Sequence, residues 1–103
     1  MNKNVLLLGR KSIIVEDVIR DLDMPHIQFF TGTNLDDVQR IIARHNIHHV
    51  IMGAGIDIEV RLQITKTIFA HSDTTTVHMK DYASGAEGMM DFVDKILTVL
   101  IPI

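Results

Sequence analysis

The chain alternates short apolar runs with longer segments whose apolar residues recur at helical spacing. Val5-Leu6-Leu7-Leu8 is a continuous apolar run that stops at Gly9. Continuous runs of this kind mark strands buried on both faces, as in parallel sheets. From Ile13 to Leu22 the apolar positions Ile14, Val15, Val18, Ile19 and Leu22 fall on one helical stripe, with Ser12 as cap and Pro25 as terminator. Ile27-Gln28-Phe29-Phe30 predicts a second strand closing at Thr31-Gly32-Thr33. Leu35, Val38, Ile41 and Ile42 predict a second helix capped by Asn34, with Asp36 and Asp37 at its positive end. His49-Val50-Ile51-Met52 predicts a third strand ending at Gly53-Ala54-Gly55, and Thr74 to Met79 a fourth.

One segment carries two periods at once. Ile56, Ile58, Val60, Leu62 and Ile64 alternate with polar residues, as a half-buried strand does. Asp57 as cap with Ile58, Leu62, Ile68 and Phe69 also fits a helix. A parallel strand needs a crossover of a dozen or so residues to reach its neighbour, and this argument selects the helix. Ser84-Gly85-Ala86-Glu87 has capping-box spacing and predicts a last helix running to about Leu100.

Four strand–helix units in this order predict an α/β fold: a three-layer open parallel sheet of four strands, flanked by helices and joined by right-handed crossovers. Two strand orders satisfy the sequence: 2-1-3-4, which is flavodoxin-like, and 3-2-1-4, half of a Rossmann-like dinucleotide fold. At 103 residues the expectation is one domain, 1–103, with an apolar fraction of 47% to build its core. No cysteine is present, which excludes disulfides, thiolate nucleophiles and cysteine-ligated metal. The net charge of −3 argues against nucleic acid, whose phosphates need a basic surface. The opening apolar run is too short for a signal-peptide core and no stretch is long enough to span a bilayer, so the expected location is cytoplasmic, away from membranes.

In open parallel sheets, ligands bind beyond the carboxyl ends of the strands. The loops there supply Arg10, Lys11 and Ser12, then Gly32, then Gly53 and Gly55, then Lys80 and Ser84. Cations, glycines and hydroxyls beside helix N-termini suit an anion, most simply a phosphate. The candidate ligand is therefore a phosphorylated small molecule or nucleotide, and no particular cofactor is implied. Each residue type also has an ordinary structural use: glycine in turns, and Ser12, Asn34, Asp57 and Ser84 as caps. Gly9 is followed by no second glycine before the helix. Neither G-x-G-x-x-G nor the G-x-x-x-x-G-K-[ST] phosphate loop is present, and no serine stands in a G-x-S-x-G elbow.

Asn34-Leu35-Asp36-Asp37 followed by His49-Val50-Ile51-Met52-Gly53-Ala54-Gly55-Ile56 resembles the middle of short-chain dehydrogenase and epimerase-type domains, over about a quarter of the chain. The resemblance implies a nucleotide-binding scaffold around Gly53 and Gly55. The glycine-rich first loop of that family is absent. So is its Tyr-x-x-x-Lys pair, because Tyr82 is followed four residues later by Ala86. Redox activity by this chain alone is therefore not expected. Receiver domains are similar in size and unit order, but their acidic residues after the first strand and phosphorylated Asp after the third are replaced here by Gly9-Arg10 and Met52-Gly53. Lys80 and Asp81 are the acid–base pair of a less favoured reading, an enzyme that works with a partner subunit.

Of six histidines, five are expected at the amino-terminal edge of the sheet: His26, His45, His48, His49 and His71. His78 is expected near the carboxyl edge. No spacing of the H-E-x-x-H kind gathers them around a metal. In the last helix, Met89, Phe92, Val93, Ile96, Leu97 and Leu100 make one buried stripe. Met90, Val99, Ile101 and Ile103 are left over and predict a homodimer built on the C-terminal segment. The alternative to a ligand-binding role is a non-catalytic interaction or dimerisation module.

Overall fold

The structure, a computed structural model, describes residues 3–10, 17, 19, 20, 22–80 and 89–100. Four strands form one parallel sheet: β1 (Lys3–Leu8), β2 (Ile27–Gly32), β3 (His49–Met52) and β4 (Thr76–Met79). Their order is β2-β1-β3-β4, the flavodoxin-like of the two orders open to the sequence. Among the described residues, the helices with defined bounds that flank it are α1 (Leu35–Arg44), α2 (Ile58–His71) and α3 (Met89–Lys95), the last continued by a π-helical turn, Ile96–Leu100. Among the described residues of the predicted first helix, Asp17, Ile19, Arg20 and Leu22 are helical; Ser12, its predicted cap, lies outside the described residues.

Alternation along the central strands builds the three layers. On β1, Val5 and Leu7 point to one face and Leu6 and Leu8 to the other, all fully buried. The first face is covered by Ile19 and Leu22 and by Phe92, Val93, Ile96 and Leu97 from the C-terminal helix. The second is covered by Val38 and Ile41 of α1 and by Ile64 and Ile68 of α2. The apolar run Val5–Leu8 is continuous because helices cover both faces.

The two-period segment is a helix. The crossover requirement outweighs the alternation, and Ile58–His71 forms α2. Of the expected stripe only Ile68 is buried, together with Arg61 and Ile64, whereas Ile58, Leu62 and Phe69 are half exposed. In the C-terminal helix the predicted stripe is seen at Phe92, Val93, Ile96 and Leu97, which pack on the sheet. The residues that predicted a dimer through this segment are Met90, Val99, Ile101 and Ile103; their side chains lie outside the described residues. Among the described residues, no helix is long and apolar enough to cross a membrane.

Asp23 terminates the first helical segment with φ 47°, in the left-handed region. An αL residue after the last helical turn is a common way to end a helix, and Asp tolerates that conformation better than most side chains.

Candidate functional site

The 2-1-3-4 order reverses direction between β1 and β3. A crevice opens at such a point, because the chain leaves the two strands toward opposite faces. The loops after β1 and β3 meet there. Gly55 lies against the stem of Arg10: a Cβ added at Gly55 would stand 2.8 Å from Arg10 Cβ. Only a glycine allows this approach without a shift of backbone.

Around this contact lies an open cleft of about 1000 Å3, lined by Arg10, Thr33, Asn34, Gly55, Asp57 and Arg61, among others. It collects the ends of β1, β2 and β3 and the first turn of α2, on the rim that the strand-end rule selects.

The wall formed by α1 is fixed by a reciprocal cap. Asn34 Oδ1 accepts from the Asp37 N–H at 2.8 Å, and Asp37 Oδ2 accepts from the Thr33 N–H at 2.9 Å. The Thr33 hydroxyl at 3.3 Å and Arg40 at 2.8 Å complete the set around the Asp37 carboxylate. The Thr33 backbone hydrogen bond is the largest influence holding the Asp37 pKa below its ordinary value. Gly32 makes room for this arrangement, since an added Cβ would meet Asp37 Cβ at 2.9 Å and Leu8 Cδ2 at 3.0 Å.

The opposite wall is α2. Asp57 occupies its N-cap position but makes no side-chain cap hydrogen bond, so its carboxylate stays available at the cleft. One turn further, Arg61 is only 5% exposed. Its Nη1 donates to the backbone oxygen of Lys80 at 2.8 Å, clamping α2 to the end of β4. Among the described residues, its buried Nε has no acceptor and no carboxylate forms an ion pair with it. Buried arginines are almost always paired, because taking an unpaired guanidinium out of water costs several kcal/mol.

The sequence-predicted site residues divide into three groups. Arg10 and Gly55 come together and line the cleft. Gly32, Gly53 and Lys80 sit on the same rim, buried, and do not line the cleft. The Gly53 N–H donates to Leu8 O at 2.8 Å and the Lys80 N–H to Met52 O at 2.9 Å, so both extend the sheet ladder. Lys11 and Ser12 in the first loop and Ser84 after β4 lie outside the described residues.

Sequence reasoning passed over Arg61. The signal was present: Arg61, Ile64 and Ile68 share one helical face, so a cation occupies the inward stripe. The alternating apolar residues on either side of Arg61 masked it.

At the other edge, His49 Nδ1 lies 2.6 Å from Thr76 Oγ1, and His78 Nε2 lies 3.1 Å from the same oxygen. His78 therefore turns back toward the amino-terminal edge and joins His49, which its sequence position did not indicate. Burial first, then the nearby charges of His78, His48 and Lys3, pushes the His49 pKa down to about 4. Burial also lowers that of His78.

The fold and cleft define an open parallel α/β domain with a ligand-sized crevice at its topological switch point. Comparison with known proteins adds no further identity: no family model, no curated protein and no solved structure matches this chain significantly.

Proposed function

We propose that this chain binds a phosphate-bearing small molecule in the cleft at the β1–β3 switch point and serves as a binding module, not as a redox enzyme by itself. The observation that carries the reading is Arg61, a buried guanidinium without a carboxylate partner among the described residues, at the wall of an open cleft. An anion in the cleft would supply the missing counter-charge, and Arg10 adds a second cation from the facing loop. Asp57 lines the same cleft with a carboxylate that makes no cap hydrogen bond. It disfavours a bare polyanion and suits a ligand that also carries hydroxyl or amino groups for it to accept from. A monophosphate ester of a small polyol or nucleoside meets both demands. The 2-1-3-4 order differs from the 3-2-1-4 order of classical dinucleotide halves, which favours such a ligand over a nicotinamide dinucleotide.

Thermal-shift screening against sugar phosphates, nucleoside monophosphates and inorganic phosphate tests the reading. A ligand at a hundred times its dissociation constant stabilises by about 2.7 kcal/mol, readily measured in a chain of this size. Arg10→Ala is expected to reduce the shift and leave the unliganded protein as stable as before, since an exposed charge contributes little to folding. No shift with any phosphate compound, or the same shift in Arg10→Ala and Arg61→Met, overturns the assignment.

The alternative, an interaction module, is favoured by a separate observation: the apolar outer flank of α2.

A further inference from the structure

We propose that the outer flank of α2 is the surface on which a second copy of this chain docks through two-fold symmetry. Ile58, Leu62 and Phe69 are 53%, 56% and 50% exposed. They recur four and seven residues apart and so share one side of the helix. Single exposed apolar residues are normal on protein surfaces, whereas a row of them marks an interface.

The position of the row is set by the residues around it. Arg61, Ile64 and Ile68 face the sheet. Val60 packs into the cluster shared with α1, and His71 borders the small cavity lined by Ile42 and His45 of the α1 end, so that flank of α2 belongs to α1. Leu62 and Phe69 occupy the flank away from α1, toward β4, and Ile58 carries the row to the mouth of the cleft, which it also lines. Strand β4 pairs with β3 on one side and with no strand among the described residues on the other. Met79, 37% exposed, stands on the same face of β4 as Val77, which packs under α2. Among the described residues, the apolar row and the unpaired side of β4 therefore lie next to each other.

Charge complementarity selects a second copy as the occupant. Glu59 and Lys66 border the row on its solvent side, one on each side of Leu62 along the helix axis. They are two turns apart, about 10 Å, too far to pair within one helix. Neither has an ion-pair partner among the described residues. A two-fold axis beside Leu62, normal to the sheet at the β4 edge, sets two α2 helices antiparallel on the same side. Leu62 then meets its own symmetry mate, and Glu59 of each copy meets Lys66 of the other, twice over. A surface that matches itself under rotation is what an isologous dimer requires. The same rotation runs two β4 edges antiparallel, each facing the other on the side where no strand among the described residues pairs with it.

Sedimentation and light scattering on the full chain, at micromolar to submillimolar concentration, test the proposal. The intact chain is expected to be a dimer. Leu62→Glu, at an exposed position that leaves the fold intact by circular dichroism, is expected to weaken dimerisation at least about tenfold. Glu59→Lys and Lys66→Glu are each expected to be monomeric alone and to form a heterodimer when mixed, because mixing restores both ion pairs. A monomeric intact chain overturns the proposal. So does a dimer that persists in Leu62→Glu, or one that is lost in Val99→Asp with Ile101→Asp but kept in Leu62→Glu, which would place the interface on the C-terminal segment. Failure of the two charge variants to recombine on mixing also overturns it.

Discussion

Gly55 and Arg10 touch so closely that a single methyl group at Gly55 would fall 2.8 Å from Arg10 Cβ. Cβ is held by the backbone and cannot swing aside as the end of a side chain can. Gly55→Ala is therefore expected to force the β1 and β3 loops apart, destabilising by about 1–3 kcal/mol. It should also weaken phosphate binding, because Arg10 is displaced from the cleft. Arg10→Gly in the same protein removes the clash and should recover most of the stability but not the binding. A denaturant double-mutant cycle measures this coupling. Additive effects of the two changes would show that the contact does not position the loop.

Arg61 poses a contest between two energies. Its hydrogen bond to Lys80 O is favourable, by about 1.5–3 kcal/mol for a charged donor. The desolvation of an unpaired guanidinium is unfavourable by several kcal/mol. The second is the larger, so Arg61→Met is expected to leave the unliganded protein at least as stable as before, up to about 1 kcal/mol more so. The same change should abolish the thermal shift given by a phosphate ligand. A loss of stability above about 2 kcal/mol in Arg61→Met would make the residue a structural clamp first.

The Asn34–Asp37 cap predicts both a mutational cost and its pH dependence. Asn34→Ala and Asp37→Ala should each cost about 1 kcal/mol, and the double variant less than the sum, because the two side chains act in one reciprocal network. The folded-state pKa of Asp37 is depressed. Its contribution is present above the unfolded carboxylate pKa and is lost as pH falls through the folded value. Urea titrations below neutral pH should show part of the acid loss in the parent chain and a smaller loss in Asp37→Ala.

His49 has the opposite proton affinity to that of a histidine gaining a carboxylate partner. Its folded-state pKa is pushed down to about 4 from 6.5. Below the unfolded value the unfolded chain takes up a proton that the folded chain resists. Stability is therefore full above pH 6.5 and falls as pH drops from there toward about 4. His49→Gln, which keeps a hydrogen-bonding group near Thr76 and removes the titration, should flatten the melting temperature across this window. An equally steep pH profile in His49→Gln would assign the acid sensitivity elsewhere.

The sequence by itself determined the class of fold. Continuous apolar runs at Val5–Leu8 and Val50–Met52 can be buried only between two helical layers, and the spacing of Val38 and Ile41 sets the inward side of α1. It also determined the rim, because glycines and caps after strands mark where loops leave a parallel sheet. Tertiary structure alone decided the 2-1-3-4 order, which depends on which strand edges meet and leaves no trace in local periodicity. It decided which side of α2 is buried, since the apolar spacing permitted a stripe through Ile58 and Leu62 as readily as one through Ile64 and Ile68. It brought Arg10 to Gly55 and Arg61 to the end of β4, and turned His78 toward His49. Those pairings join residues far apart in the chain. They arise when the crossovers close, and no stretch of sequence read in isolation encodes them.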